Sequence, residues 1–487
     1  MERTTVNKMA VMPVPKLILN MGLPMMISML GQALYNVVDT FFVSRIPDSD
    51  GMAHAGELAI NALTLAFPVQ MMIMALGVGT GVGINALISR MLGMKRQRQA
   101  ENAAGNALFV TLLYFLAMFL FGLLGAGAFI GSQTDNAAIA RLGTEYVRII
   151  CVFSLGTLGY MCLEKVTIAT GNTRITMLAQ IGGAVTNILL DPVMIYGLIG
   201  FPAMGVRGAA IATVIGQFVS LIWIGTFFIK KDRIMTIRYS DLRPKAVILK
   251  ELYRIGIPAI VMQILVPIMS YAMNLILVSI SEAAVTAYGI YYKLQNFVFM
   301  PGYGLNNASI PIISFNYGAR EKGRIRAAIR WALTDVTVIM AVGVILMEGR
   351  TRQIVSLFAL SPQTEDLCVT ALRIIVWGFF FAGVNIILQG VCQALGNGRF
   401  SLIISLIRLI AVPVTAAYFF SRTAQAQEIV WYAILMGEAA ASLVAAVLTT
   451  RLYKQKTGKL ENASEERQHT ECRQEKGTPI WKISARD

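Results

Sequence analysis

Gln32-Ala33-Leu34-Tyr35-Asn36-Val37-Val38-Asp39-Thr40-Phe41-Phe42 lies inside an apolar run that extends from about residue 17 to residue 44. A helix of about 20 apolar residues crosses a hydrocarbon core roughly 30 Å thick. A carboxylate inside such a helix costs roughly 2.5–3.5 kcal/mol on insertion scales, which makes Asp39 a candidate ion or proton site. Similar runs recur along almost the whole chain of 487 residues. Of these residues 56% are hydrophobic and only 14% charged, against about 25% charged in a soluble domain. That balance excludes a soluble fold and predicts an all-α, multi-pass membrane protein.

Twelve spans are expected, at 17–44, 56–84, 103–130, 139–170, 174–200, 206–229, 247–280, 284–316, 328–347, 366–395, 399–420 and 428–452. The N-terminus has no short apolar stretch followed by a small-residue cleavage site, so the first span is expected to remain. The net charge of +15 is not spread evenly. Arg90, Lys95, Arg96 and Arg98 mark the second connection, and Arg174 the fourth. Lys230, Lys231, Arg233, Arg238, Arg243 and Lys245 mark the sixth. Arg320, Lys322, Arg324 and Arg326 mark the eighth, and Arg399 the tenth. The first connection instead carries Asp48, Asp50 and Glu57 against Arg45. Basic residues concentrate in cytoplasmic loops, so both termini are expected in the cytoplasm and the chain in the plasma membrane.

The expected organisation is therefore an N-terminal segment (1–14), a first six-helix bundle (15–229), a cytoplasmic linker (230–246) and a second bundle (247–452). A hydrophilic tail (453–487), without apolar periodicity, is expected to be disordered. The cysteines show no CxxC or metal-ligand spacing, and four of them (Cys151, Cys162, Cys368 and Cys392) read as small apolar packers. The two histidines, His54 and His469, fall in a loop and in the tail. No zinc-protease, P-loop or nucleophile-elbow pattern occurs, which argues against an enzyme and against a cofactor.

The two halves repeat each other. Ile18-Leu19-Asn20-Met21-Gly22-Leu23-Pro24 matches Leu252-Tyr253-Arg254-Ile255-Gly256-Ile257-Pro258. Ile88-Ser89-Arg90-Met91-Leu92-Gly93 matches Ile313-Ser314-Phe315-Asn316-Tyr317-Gly318. Ala169-Thr170-Gly171-Asn172-Thr173-Arg174 matches Ala394-Leu395-Gly396-Asn397-Gly398-Arg399. Six spans per half give both halves one orientation, so the pseudo-two-fold axis runs along the membrane normal, as in transporters whose bundles rock about a central site.

Polar residues fall in stripes at helical spacing. Gln32, Asn36 and Asp39 share a face of span 1, and Gln180, Asn187 and Asp191 a face of span 5. Span 7 carries Gln263, Ser270 and Asn274, and span 10 Asn385, Gln389 and Gln393. Two readings of the amides stand: cavity lining, or hydrogen bonds between helices. The acids are more specific. Asp39, Glu164 and Asp191 all lie in the first half, and Asp191 precedes Pro192, which frees a backbone carbonyl one turn back. Glu164 can also pair with its neighbour Lys165. In the repeat register Asp39 meets Met273, Glu164 meets Gln389, and Asn187 meets Arg408. The acids therefore distinguish the halves, which places ion coupling in the first. The second half holds Lys293, Arg408 and Glu438, which can pair or bias the charge of a cavity. Many of the 26 methionines, Met71, Met72 and Met74 among them, are accounted for by helix packing.

These motifs resemble those of the multidrug and toxic compound extrusion (MATE) family over residues 15–452. The residues that carry the resemblance are Tyr35 to Thr40, Gly171 to Arg174, Asn187 to Pro192, Gly208 to Thr213 and Pro311 to Gly318. The resemblance implies two six-helix bundles and cation-coupled export by alternating access. It also implies that Asp39, Asn187 and Asp191 bind the coupling H+ or Na+, with Thr213 beside them. Glu164 stands where relatives often carry asparagine. Acids that some branches use in the second bundle have no counterpart here.

The expected function is efflux of cationic amphipathic molecules by cation antiport, from a monomer in the bilayer, with no metal beyond an occasional Na+. A lipid-linked sugar flippase is the runner-up, because Lys293 and Arg408 could hold a pyrophosphate. A polytopic membrane enzyme is a third reading, without a catalytic cluster to support it.

Overall fold

The computed structural model describes residues 7–47, 55–230, 235–358 and 360–476, with side chains described as far as 458. Asp48, Asp50, His54, Lys231 and Arg233, as well as the side chain of His469, lie outside the described residues. The described residues form helices and no strand.

Among the described residues twelve long helices or bent helix pairs fit the twelve expected spans, and all but Glu282–Gly318 are long and apolar enough to cross a membrane. They are α1 (Val14–Ser44), α2 (Ala55–Gly93), α3 (Gln97–Leu124), α4 (Ala137–Val152 with Leu155–Ala169), α5 (Thr173–Tyr196) and α6 (Val206–Lys230). The second bundle has α7 (Ala246–Val278), α8 (Glu282–Gly318), α9 (Lys322–Ser356), α10 (Pro362–Ile375 with Gly378–Ala394), α11 (Gly398–Phe420) and α12 (Tyr432–Lys476). Only helices satisfy every backbone polar group within a single segment in lipid, so apolar runs of this length must coil this way. Two spans expected to be continuous are broken: α4 bends by 44° between Val152 and Leu155, and α10 by 49° between Ile375 and Gly378. The final helix also runs past its expected end at residue 452, and the segment 453–476 that was expected to be disordered is helical. Those residues are rich in Glu, Lys, Arg and Gln, good helix formers. Extending an existing helix needs no new nucleus.

The repeat is visible at the level of single bonds. Ser89 Oγ donates to the carbonyl of Ala169 at 3.2 Å, and its counterpart Ser314 donates to Ala394 at 3.0 Å. Lys95 (φ 58°) and Arg320 (φ 64°) take the left-handed conformation at equivalent turns, as do Gly171 (φ 97°) and Gly396 (φ 79°). The bundles touch where equivalent elements cross. A Cβ on Gly93 would fall 2.0 Å from the Phe315 carbonyl oxygen, and one on Gly318 would fall 2.1 Å from that of Arg90. Arg90 also pairs with Glu251 of α7. These contacts lie at the ends that bear the basic loops.

The same end is fastened by two chain segments. Met9 is fully buried in one core cluster with Leu17, Ile18 and Met21 of α1 and with much of the second bundle. Asn7 Nδ2 donates to the Thr170 carbonyl (3.3 Å), Lys8 Nζ to Asn20 Oδ1 (2.8 Å), and Arg324 Nη2 to the carbonyls of Met9 (2.9 Å) and Met12 (2.8 Å). The linker forms a 3-10 turn, Tyr239–Leu242, docked on α3. Arg98 pairs with the buried Asp241 at 2.8 Å, and Asn106 Nδ2 donates to the carbonyls of Asp241 (3.1 Å) and Arg243 (3.2 Å).

Candidate functional site

Helices α5 and α6 approach closely because glycines face each other. A Cβ on Gly183 would fall 1.9 Å from Ser220 Oγ and 2.5 Å from the Gly216 carbonyl oxygen, and one on Gly216 would fall 2.7 Å from the Gly183 carbonyl oxygen. One turn further along, this approach lets Asn187 reach across the interface. Asn187 Nδ2 donates to Asp191 Oδ1 within α5 (3.2 Å) and to Thr213 Oγ1 on α6 (3.4 Å). Asp191 is fully buried, and Asn187 is 3% exposed.

Both N–H groups of the Asn187 amide are thus committed, and three oxygens are not. Asn187 Oδ1, Asp191 Oδ2 and Asp39 Oδ1 are buried without a hydrogen-bond partner. A buried oxygen without a donor costs about 1–3 kcal/mol, more if charged. A proton or a small cation removes that cost. Asp39 lies close enough to Asp191 for the two carboxylates to interact electrostatically. Two carboxylates in one low-dielectric site do not readily both ionise.

Three further side chains join this cluster, and none was expected from the sequence. Tyr35 lines a narrow cleft with Gln180, Asn187, Thr213 and Gln217, and it lies within electrostatic reach of both acids. Tyr146 of α4 is buried and within reach of the same acids. Gln70 of α2 donates to its hydroxyl at 2.6 Å. Tyr35 precedes Asp39 by one turn, so the helical stripe contained a signal for it. Tyr146 and Gln70 come from other helices, and no local pattern marks them. At the far end of α5, Tyr196 Oη donates to the Phe42 carbonyl at 2.8 Å, which ties α5 to α1 three residues beyond Asp39.

The remaining candidates lie elsewhere. Gln32 is half-buried and Asn36 exposed, and neither side chain bonds to the cluster. Glu164 is 5% exposed and pairs with Lys165 at 3.3 Å, apart from the Asp39 cluster. In the second bundle Gln263 and Lys293 are exposed and Asn274 is half-buried. Gln389 accepts a hydrogen bond from Ser405 at 3.0 Å. Arg408 is not free to bind an anion: it forms a buried pair with Glu438 at 2.8 Å. Among the described residues no group of three or more His, Cys, Asp or Glu is placed to hold a metal ion.

The sequence model of the MatE family matches residues 24–193 and 258–419. The multidrug export protein MepA of Staphylococcus aureus is 26% identical over 406 residues, 82% of this chain and 86% of that protein. The protein of the same name from Staphylococcus haemolyticus is 26% identical over 386 residues, 79% of this chain and 82% of that protein. Among solved structures, an outward-facing multidrug resistance MATE family transporter of the MOP superfamily superposes with a TM-score of 0.86 at 25% identity, over 95% of this chain and 100% of that one. A MOP superfamily transporter from Pyrococcus furiosus, described as having a binding pocket of reverse polarity, superposes with a TM-score of 0.85 at 25% identity, over 94% of this chain and 100% of that one.

Proposed function

The chain belongs to the MatE family of multidrug efflux transporters, and from that premise we propose that it exports cationic amphipathic molecules in exchange for H+ or Na+ taken up at Asp39, Asn187 and Asp191. The observation that carries this reading is the set of three buried, partnerless oxygens on those residues. Thr213 holds the Asn187 amide through its hydroxyl, which leaves the amide oxygen turned to the site. Tyr35 and Tyr146 border the acids with hydroxyls able to donate to a carboxylate or to offer their oxygens to a passing cation.

In the mechanism, a cationic substrate enters the space between the bundles while the acids are charged. Cation entry from outside neutralises them and removes the attraction, and the substrate leaves. The same neutralisation alters the hydrogen bonding of Asn187 and so the seating of α1 against α5 and α6. With the basic loops in the cytoplasm, the close contacts through Gly93 and Gly318 shut that side, and both termini lie there. The cycle then requires those contacts and the N-terminal segment to part.

The charge distribution disfavours a lipid-linked sugar as substrate. A pyrophosphate would need several free cations facing the cavity; Arg408 is already held by Glu438, which leaves Lys293 of the two expected. The function is tested by cellular accumulation of a fluorescent organic cation. Expression of the wild-type chain lowers it, and Asp39→Asn or Asp191→Asn abolishes that effect at equal membrane insertion. Full export by both variants would sink the assignment.

A further inference from the structure

Pro192 in α5 and Pro413 in α11 occupy equivalent places in the two halves. The same offset carries Asn187 to Arg408, Gly216 to Gly437 and Gln217 to Glu438. The packing agrees with this register. A Cβ on Gly216 would fall 3.2 Å from Asn187 Cβ, and one on Gly437 would fall 3.0 Å from the Arg408 carbonyl oxygen. In the first bundle Asn187 and Gln217 line one cleft. In the second their counterparts close on each other: Arg408 Nε donates to both carboxylate oxygens of Glu438, at 2.8 Å.

The second bundle surrounds that pair with ligands of its own. Asn385 Nδ2 of α10 donates to Glu438 Oε2 at 2.9 Å, and Ser442 Oγ donates to Asn385 Oδ1 at 3.2 Å. The guanidinium carbon lies 5.8 Å from the centroid of the Phe299 ring. Arg408 and Glu438 are each 7% exposed. A π-helical turn, Ile407–Ala411, carries Arg408, whereas α5 is described as α-helix throughout. Such single-turn insertions re-aim a side chain and occur often at functional sites. The counterpart of Asp39 is Met273, fully buried. A carboxylate and an amide thus stand beside the residue that replaces Asn187, with a cation already supplied by the chain.

We propose that Arg408 is a tethered cation: its guanidinium fills the second bundle's counterpart of the coupling site, with Glu438 as its ligand and Asn385 holding that carboxylate in place, and keeps that bundle in the cation-occupied form throughout the cycle. This rests on Asp39, Asn187 and Asp191 being the coupling site in the first bundle. Only the first bundle then changes its cation occupancy, which is why the second needs no further acid. A buried carboxylate must be paired or neutralised. Removing the arginine side chain therefore opens a cation site on Glu438 that a free guanidinium can enter.

The test uses the purified full-length chain in detergent with methylguanidinium as probe. In Arg408→Ala a saturable rise of the thermal unfolding midpoint is expected on adding the probe, since a ligand that binds the folded form stabilises it by mass action. The wild type, with the site filled, and R408A/E438Q, without the carboxylate, show no such rise. Tetramethylammonium, which has no N–H donor, gives none in any variant. If R408A responds no more than R408A/E438Q, the proposal is overturned. If R408A can be recovered folded only when expressed and purified in methylguanidinium, the proposal is supported. Failure of that rescue while R408A/E438Q folds also overturns it. The readout is binding, so export that survives D39N and D191N sinks the coupling-site reading, and an R408A protein indifferent to methylguanidinium sinks this one.

Discussion

Gly183→Ala should disable ion coupling without touching a single group that binds the ion. The added Cβ lies 2.5 Å from the Gly216 carbonyl oxygen, and ordinary contact begins at 3.4 Å, so α6 must retreat by about 0.9 Å. Ser220 Oγ, at 1.9 Å, can rotate away; the backbone oxygen cannot. The bond from Asn187 to Thr213 is already 3.4 Å long, so a retreat of that size breaks it. Overpacking of this kind costs about 1–3 kcal/mol, and the lost bond about 0.5–1.5 kcal/mol more. Because 1.4 kcal/mol is a factor of ten in affinity, cation half-saturation should rise by about tenfold. The assay is gradient-driven export of a fluorescent cation from proteoliposomes at varied external cation concentration. Gly182→Ala is the matched control: its Cβ meets only the edge of the Trp223 ring, at 3.3 Å, and a side chain can yield by a few tenths of an ångström. A G183A protein with wild-type ion dependence would refute the claim that this glycine contact positions the site.

Thr213→Val removes the acceptor of the second Asn187 bond, and the cation half-saturation measured by the same flux assay should rise by about two- to tenfold. Tyr196→Phe frees the Phe42 carbonyl and loosens α1 against α5; hydrogen exchange in residues 39–44, followed by mass spectrometry, should speed up by about tenfold. Arg324→Ala deletes both bonds to the N-terminal segment, so exchange in residues 7–20 should accelerate while the second-bundle core stays protected. Burial, with Arg174 nearby, pulls the Lys8 ammonium down to about 8 from its ordinary 10.5. The docked value is the lower one, so docking is penalised most below pH 8 and strengthens as pH rises towards 10.5. Exchange in residues 7–20 should therefore slow between pH 7 and 9, after correction for intrinsic rates, and Lys8→Met should lose that dependence.

Much of this was legible in the chain because the membrane charges heavily for polar groups. Asp39, Asn187 and Asp191 stood out as costly residues in apolar runs, and the structure brings Asn187, Asp191 and Thr213 into hydrogen-bond contact. The repeat was legible because loop motifs such as Gly171-Asn172 and Gly396-Asn397 are tied to backbone geometry that few residues adopt. The breaks in α4 and α10 were not, since Phe153 and Trp377 are apolar and no proline marks either bend. Tyr146 and Gln70 were hidden for a different reason: their contact joins α4 to α2, 76 residues apart. The charges of the second bundle were visible but not their pairing. Only packing shows that Arg408 closes on Glu438 while Lys293 is left exposed.

The most direct test of the central claim is cation uptake by the purified protein. Wild type, D39N and D191N are titrated in detergent with acid and with Na+ while bound cation is counted by proton release and by 22Na+ retention. The account predicts that the wild type takes up one of these cations at a single saturable site, and that each variant loses that uptake while its unfolding transition remains cooperative. Uptake of equal stoichiometry and affinity in all three proteins would contradict it.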